Sequence, residues 1–222
     1  MKVISRFLFV AGLGILFSGT AIAQMGMRGP SVRGVWNPVV GSGAAYSIEQ
    51  KGGEKSEMEM AIVGKESVSG KDGYWLEMTM QSPRGEGQMV MKSLTVLDGS
   101  NTAIKRMIMQ MAGQPPMEMP MTMMQQRGNT ARPADIRSDA EDVGSETVTT
   151  PAGTFTCEHY RMKDGSADIW VAKNVAPYGL VKSTGKDTTM ILTRVITNAK
   201  DKITGTPVPF NPMGMMQQRQ PD

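Results

Sequence analysis

Sulfur is the most abundant source of possible chemistry in this chain: 22 of its 222 residues are methionine, against one cysteine and one histidine. From Met107 to Met124 the run MIMQMAGQPPMEMPMTMM places eight methionines in eighteen residues. A thioether is soft and neutral, so Met-x-Met or Met-x-x-Met spacing in a flexible segment suits Cu(I) or Ag(I) and not Zn(II), Mg(II) or Ca(II). The candidate metal ligands are Met107, Met109, Met111, Met117, Met119, Met121, Met123 and Met124. The same side chain, unbranched and polarizable, also makes adaptable apolar surface for ligands or partners of varied shape. On that second reading Met58, Met60, Tyr74, Leu76, Met78, Met80, Met89 and Met91 line one sheet face and bind a hydrophobic ligand. A third reading is plain: strand methionines fill a core, and those outside strands are compositional drift or sacrificial targets for oxidants.

Other reactive residues are few. One histidine leaves no His-Glu-x-x-His pair and no multi-histidine site, and there is no Gly-x-Ser-x-Gly. Gly70-Lys71 and Gly185-Lys186 lack the Ser or Thr that would follow in a phosphate-binding loop. The inventory predicts a protein that is not an enzyme and has no catalytic residues. Cys157 and His159 lie two apart on a predicted strand and share a face with Phe155, which could aim a thiolate and an imidazole at one site. A small buried hydrophobe is the stronger reading of such a lone cysteine. Glu57 and Glu59 face away from Met58 and Met60, and Glu77 could join them; a solvated face explains them better than paired carboxylates for acid/base work.

The elements that would position these residues are strands. Tyr46 and Ile48, then Met58, Met60 and Ile62, then Tyr74, Leu76, Met78 and Met80 recur at every second position between polar residues. Breaks at Gly52-Gly53, Gly70 to Gly73 and Pro83 to Gly87 have hairpin length and chemistry, which predicts an antiparallel meander. Met89 and Met91 alternate with Val90, Leu94 and Val96, so that strand is expected to be covered on both sides. Pro115, Pro116 and Pro120 cannot donate ladder hydrogen bonds, and residues 112–132 are expected to form a long Met/Pro-rich loop. A short helical turn near Pro133 to Asp142 precedes further strands around 147–150, 154–162, 167–172, 180–183 and 188–197. The domain plan is a flexible arm at 24–43, one β domain at 44–198 and a flexible Pro/Met-rich tail at 199–222.

Residues 1–23 have the form of a secretory signal: Lys2 and Arg6, an apolar run from Phe7 to Phe17, and Ala21-Ile22-Ala23 before Gln24. The expected location is periplasmic or secreted, with no transmembrane segment after cleavage. Losing Lys2 and Arg6 takes 24 basic residues to 22 against 21 acidic, so +3 becomes +1. No dense basic stripe with interleaved aromatics is present, which argues against a nucleic-acid partner. Cys157 being the only cysteine, no intramolecular disulfide can form and the fold must rest on its core.

The segments Thr150 to Phe155, Cys157, His159-Tyr160, Asp168 to Ala172 and Val175 to Lys182 resemble the C-terminal half of uncharacterised exported bacterial domains related to the periplasmic lipoprotein-carrier (LolA-like) superfamily. That resemblance implies an antiparallel sheet curled into an open half-barrel around an apolar cavity, and it carries no catalytic residue across. In the carrier family helices plug the cavity, whereas no long amphipathic helix is visible here. The expected protein is mostly β, with a curved sheet or half-barrel, little helix, and the Met-rich segment over or beside its open side. Its expected function is binding of a hydrophobic, lipid-like molecule or an envelope partner through a Met-rich surface, with Cu(I)/Ag(I) binding as the alternative.

Overall fold

The structure is a computed structural model that describes residues 33–81, 87–126 and 131–210. The secretory segment at 1–23, the first part of the arm, the Pro83 to Glu86 part of one predicted turn, and residues 211–222 lie outside the described residues.

The described residues form one curved, mostly antiparallel sheet that does not close. Strands β1 (Gly43–Gln50), β2 (Lys55–Val68), β3 (Lys71–Gln81), β4 (Gln88–Asp98) and β5 (Asn101–Met111) run as a meander, as the period-two pattern requires. The connection Ser69-Gly70 has both residues at positive φ, the twist that suits a two-residue hairpin between right-handed strands. Strands β6 (Met117–Glu118) and β7 (Ala131–Pro133) then pair with β5. The second half contributes β8 (Ala140–Thr150), β9 (Gly153–Met162), β10 (Ala167–Val171), β11 (Leu180–Gly185) and β12 (Thr188–Ile196), and β13 (Val208–Pro209) pairs in parallel with β6. The order across the sheet is β13-β6-β5-β4-β3-β2-β1-β12-β11-β10-β9-β8. The first and last strands of the main chain path thus meet at β1 and β12 in the middle, so non-local pairing ties the two halves together.

Tyr46, Met58, Met60, Ile62, Ile169, Leu180, Val181 and Leu192 are almost wholly buried and form one apolar cluster. Each such side chain stabilises the fold by roughly 1.5–3 kcal/mol. Gly43 makes this packing possible: a Cβ there would lie 2.3 Å from the Met60 carbonyl oxygen. In the β9–β10 region apolar residues are buried on both sides of the sheet. Ile169 pairs with Tyr160, while Trp170 pairs with His159 on the opposite side.

Three expectations change. The flexible arm is anchored from Val35 onward: Val35 and Asn37 donate to the Tyr178 and Pro177 carbonyls, and the Trp36 ring stands 5.1 Å from that of Tyr178 and 6.5 Å from that of Tyr74. The 112–132 loop contains real elements, β6, a short helix α1 (Met121–Gln126) and β7. Its prolines bracket these elements instead of excluding them, because Pro120 precedes the helix where no amide donor is needed. Residues 199–210 are no loose tail. They cross the sheet as a strap, described below.

Candidate functional site: a methionine-lined sheet face

In a paired antiparallel ladder, residues directly opposite project to the same side, about 5 Å apart at Cβ. The register here runs Met58↔Met80↔Met89↔Met111 in one row and Met60↔Met78↔Met91↔Met109↔Met117 in the next. Met107 opposes Ser93 on that same side, and the Met119 amide donates to the Met107 carbonyl. Eleven methionines therefore share one face of β2 to β6 and the residue following β6. The two groups that the sequence separates, strand methionines and loop methionines, form a single surface.

Exposure varies across it without a single trend. Met58 and Met60 are sealed in the core at 1% and 0%, and Leu76 is buried beside them. Met78, Met80, Met89, Met91, Met107, Met111 and Met119 are half-buried, while Met109 and Met117 are buried at 8% each. Tyr74 is half-buried at the end of the row, against Trp36. On α1, Met121 and Met123 are half-buried and Met124 is buried. Of the sequence-predicted ligand-contact residues, Met58, Met60 and Leu76 are thus core. The half-buried part lies on β3 and β4, at Met107 and Met111 on β5, and at Met119.

The opposite face of the same strands is chemically different. There Glu77 and Lys92 are buried, which corrects the expectation of a solvated carboxylate face. The strap covers them: Lys202 donates its amide to Glu77 at 3.0 Å and its ammonium to Glu59 and Thr79, and Asp201 pairs with Lys92. Further along, Thr204 and Gln110 exchange two hydrogen bonds, of 3.0 and 3.2 Å, as two peptide groups would. Burial, reinforced by the nearby Asp201 carboxylate, pushes the Glu77 carboxyl up to about 7 against the lowering effect of the Lys202 amide. Burial also acts to raise Glu59, but Lys202 and Arg194 outweigh it and hold that carboxyl below its ordinary range.

Cys157 and His159 share a face as predicted, and neighbouring strands supply groups the sequence could not reveal. The His159 Nε2 lies 2.8 Å from Asp168, its Nδ1 3.5 Å from Glu146, and its ring stacks on Trp170 at 4.3 Å. The Trp170 indole donates to Glu146. Cys157 is fully buried, its thiol faces the Phe155 carbonyl at 3.7 Å, and burial with the Glu146 charge pushes it up to about 11. A thiol so placed is protonated and inert at neutral pH. A polar cleft of about 470 Å³ lies elsewhere, between Arg137, Asp142, Ser145, Glu158 and Tyr160.

No protein-family model matches the chain, and no curated protein matches it. Among solved structures, a candidate lipoprotein of Parabacteroides distasonis is 13% identical over 74% of this chain and all of its own, at a TM-score of 0.37. A candidate exported protein of Bacteroides fragilis with a YmcC-like fold is 14% identical over 74% of this chain and 99% of its own, also at 0.37. MucB in complex with the periplasmic part of MucA is 14% identical over 74% of this chain and 53% of its own, at 0.33.

Proposed function

We infer that this is an exported, non-enzymatic binding protein whose methionine face receives a hydrophobic, lipid-like molecule or an apolar segment of an envelope partner. The observation that carries the reading is the break in cover along the methionine rows: Met58 and Met60 are sealed and Met109 and Met117 are buried, but Met78, Met80, Met89 and Met91 between them are only half-buried. Ordinary core filler would be covered throughout. A contiguous, half-covered apolar strip on a rigid sheet is instead the kind of surface that marks a binding site. Methionine suits it because three rotatable bonds and a polarizable sulfur let one surface conform to several shapes. The secretory form of residues 1–23 supports a periplasmic or secreted location, and no described helix is long and apolar enough to cross a membrane.

The test is a titration with a dansyl-labelled fatty acid. Saturable fluorescence enhancement is expected, with affinity at least tenfold weaker in the double variant Met80→Glu/Met91→Glu, which places charges on half-buried positions. No saturable binding by the unmodified protein, or equal binding by the variant, overturns the reading.

A further inference from the structure

We propose that Met91, Met109 and Met117 form a binding site for a soft monovalent ion, Cu(I) or Ag(I), at the β4–β5–β6 corner of the methionine face. These three are consecutive in one cross-strand row: Met91 opposes Met109, and Met109 opposes Met117. Strands about 4.8 Å apart bring neighbouring Cβ atoms of the row to about 5 Å and the outer two to about 10 Å, a span that the arms of Met91 and Met117 close by extending along the row toward Met109. Met109 and Met117 are buried while Met91 is half-buried, so the pair forms a floor and the ion enters from the β4 side. Met89, Met111, Met107 and Met119 flank the row and supply further soft donors.

The charge distribution selects the ion class. Lys92, Arg106 and Glu118 occupy the alternate positions of these strands and project to the other side, where Arg106 and Glu118 pair at 2.8 Å and Lys92 meets Asp201. The methionine row therefore has neutral sulfur and no carboxylate. Hard divalent cations require oxygen ligands, whereas thioethers favour Cu(I) and its analogues. Packing alone does not account for the distribution. The β1 and β8–β12 parts of the same core use Tyr46, Ile48, Ile169, Leu180, Val181 and Leu192, with methionine at 162 and 190 as the exceptions. From β2 to β6 methionine holds most positions on that side, with Ile62, Tyr74 and Leu76 at one end of β2 and β3 among the exceptions.

The site is separable from the apolar-ligand reading, and its failure would leave that reading standing. The experiment uses the whole chain carrying Cys157→Ala, so that no thiol competes, with methionine methyl groups carbon-13 labelled. Ag(I) is titrated by NMR, and Cu(I) affinity is measured anaerobically against a chromophoric chelator. Expected are methyl shifts concentrated on Met91, Met109 and Met117, and a Cu(I) affinity at least tenfold weaker in Met91→Leu/Met109→Leu/Met117→Leu. Should the triple variant fold poorly, Met91→Leu alone, at a half-buried position, is expected to weaken binding at least threefold. Absence of Ag(I)-induced shifts at these three methyls, or Cu(I) affinity unchanged by the substitutions, overturns the proposal, including the case in which the ion is held by methionines elsewhere in the chain.

Discussion

The two faces of β2 to β6 are built from the same backbone and solve opposite problems. On one, Glu59, Glu77, Lys92 and Gln110 each find a named partner in the strap. On the other, thioethers stand in rows with no directional demand beyond contact. Directional bonds fix a segment in one place, whereas non-directional apolar contacts leave a surface free to accept different shapes. The strapped face is thus fixed by directional bonds, while the methionine face runs from the core at Met58, Met60 and Leu76 to half-buried thioethers on β3 and β4 that no such bonds tie down.

The sharpest way to break this contrast is to remove one strap partner. Lys92 is 9% exposed and Asp201 is its partner. Asp201→Ala leaves a buried ammonium without its countercharge, a change that typically costs about 3–5 kcal/mol. Urea denaturation should show a loss near the lower end of that range, since Asp201 itself is partly exposed. A loss below about 1 kcal/mol, the usual worth of an exposed pair, would mean that the strap is decoration.

Much of the sheet was legible because alternation is a local signal: Tyr46/Ile48, Met58/Met60/Ile62 and Met78/Met80 read directly as one face. The strap was not, because its partners lie far away in sequence, 109 residues for Lys92 with Asp201 and 125 for Glu77 with Lys202, and its Pro, Gly and Lys composition is that of a tail. Glu77 looks the same in sequence whether water or a strap covers it. One clue was available: Lys92 shares a stripe with Val90 and Leu94, and a lysine among buried apolar residues needs a partner from somewhere. The unity of the methionine surface was hidden for another reason. Prolines 115, 116 and 120 suggested a loop, and only the Met109↔Met117 register shows that the chain returns to the same face.

A second test uses protons. Glu77 has its folded-state pKa raised from about 4.5 to about 7, chiefly by burial. Between those values the folded chain binds more protons than the unfolded one, so this residue's contribution to stability is full below about pH 4.5 and is lost as pH rises through 7. The contribution is on the order of 3 kcal/mol at most. Glu59, with its carboxyl held low by Lys202 and Arg194, acts in the opposite sense, and only as pH falls below its ordinary range. Glu77→Gln keeps an acceptor for the Lys202 amide and should flatten the stability profile between pH 4.5 and 7.5, with no loss at pH 8. A profile as steep as that of the unmodified protein would place the titrating group elsewhere.

The smallest expected effect is on the methionine face itself, and it is the most discriminating. If Met78, Met80, Met89 and Met91 serve binding, their contribution to folding should be slight, because leucine matches methionine in volume and apolar character and such exchanges usually cost less than about 1.5 kcal/mol each. At half-buried positions the cost should fall well below that. The quadruple Met→Leu variant should therefore unfold within about 2 kcal/mol of the parent, roughly a third of the plain sum of four such costs, while binding of the dansyl probe weakens severalfold because leucine's branched arm conforms less readily. A variant that loses far more stability than this, with probe binding intact, would show that the thioethers are a jigsaw core after all. The faces would then differ in polarity alone, and the half-buried thioethers of β3 and β4 would be nothing more than the margin of that core.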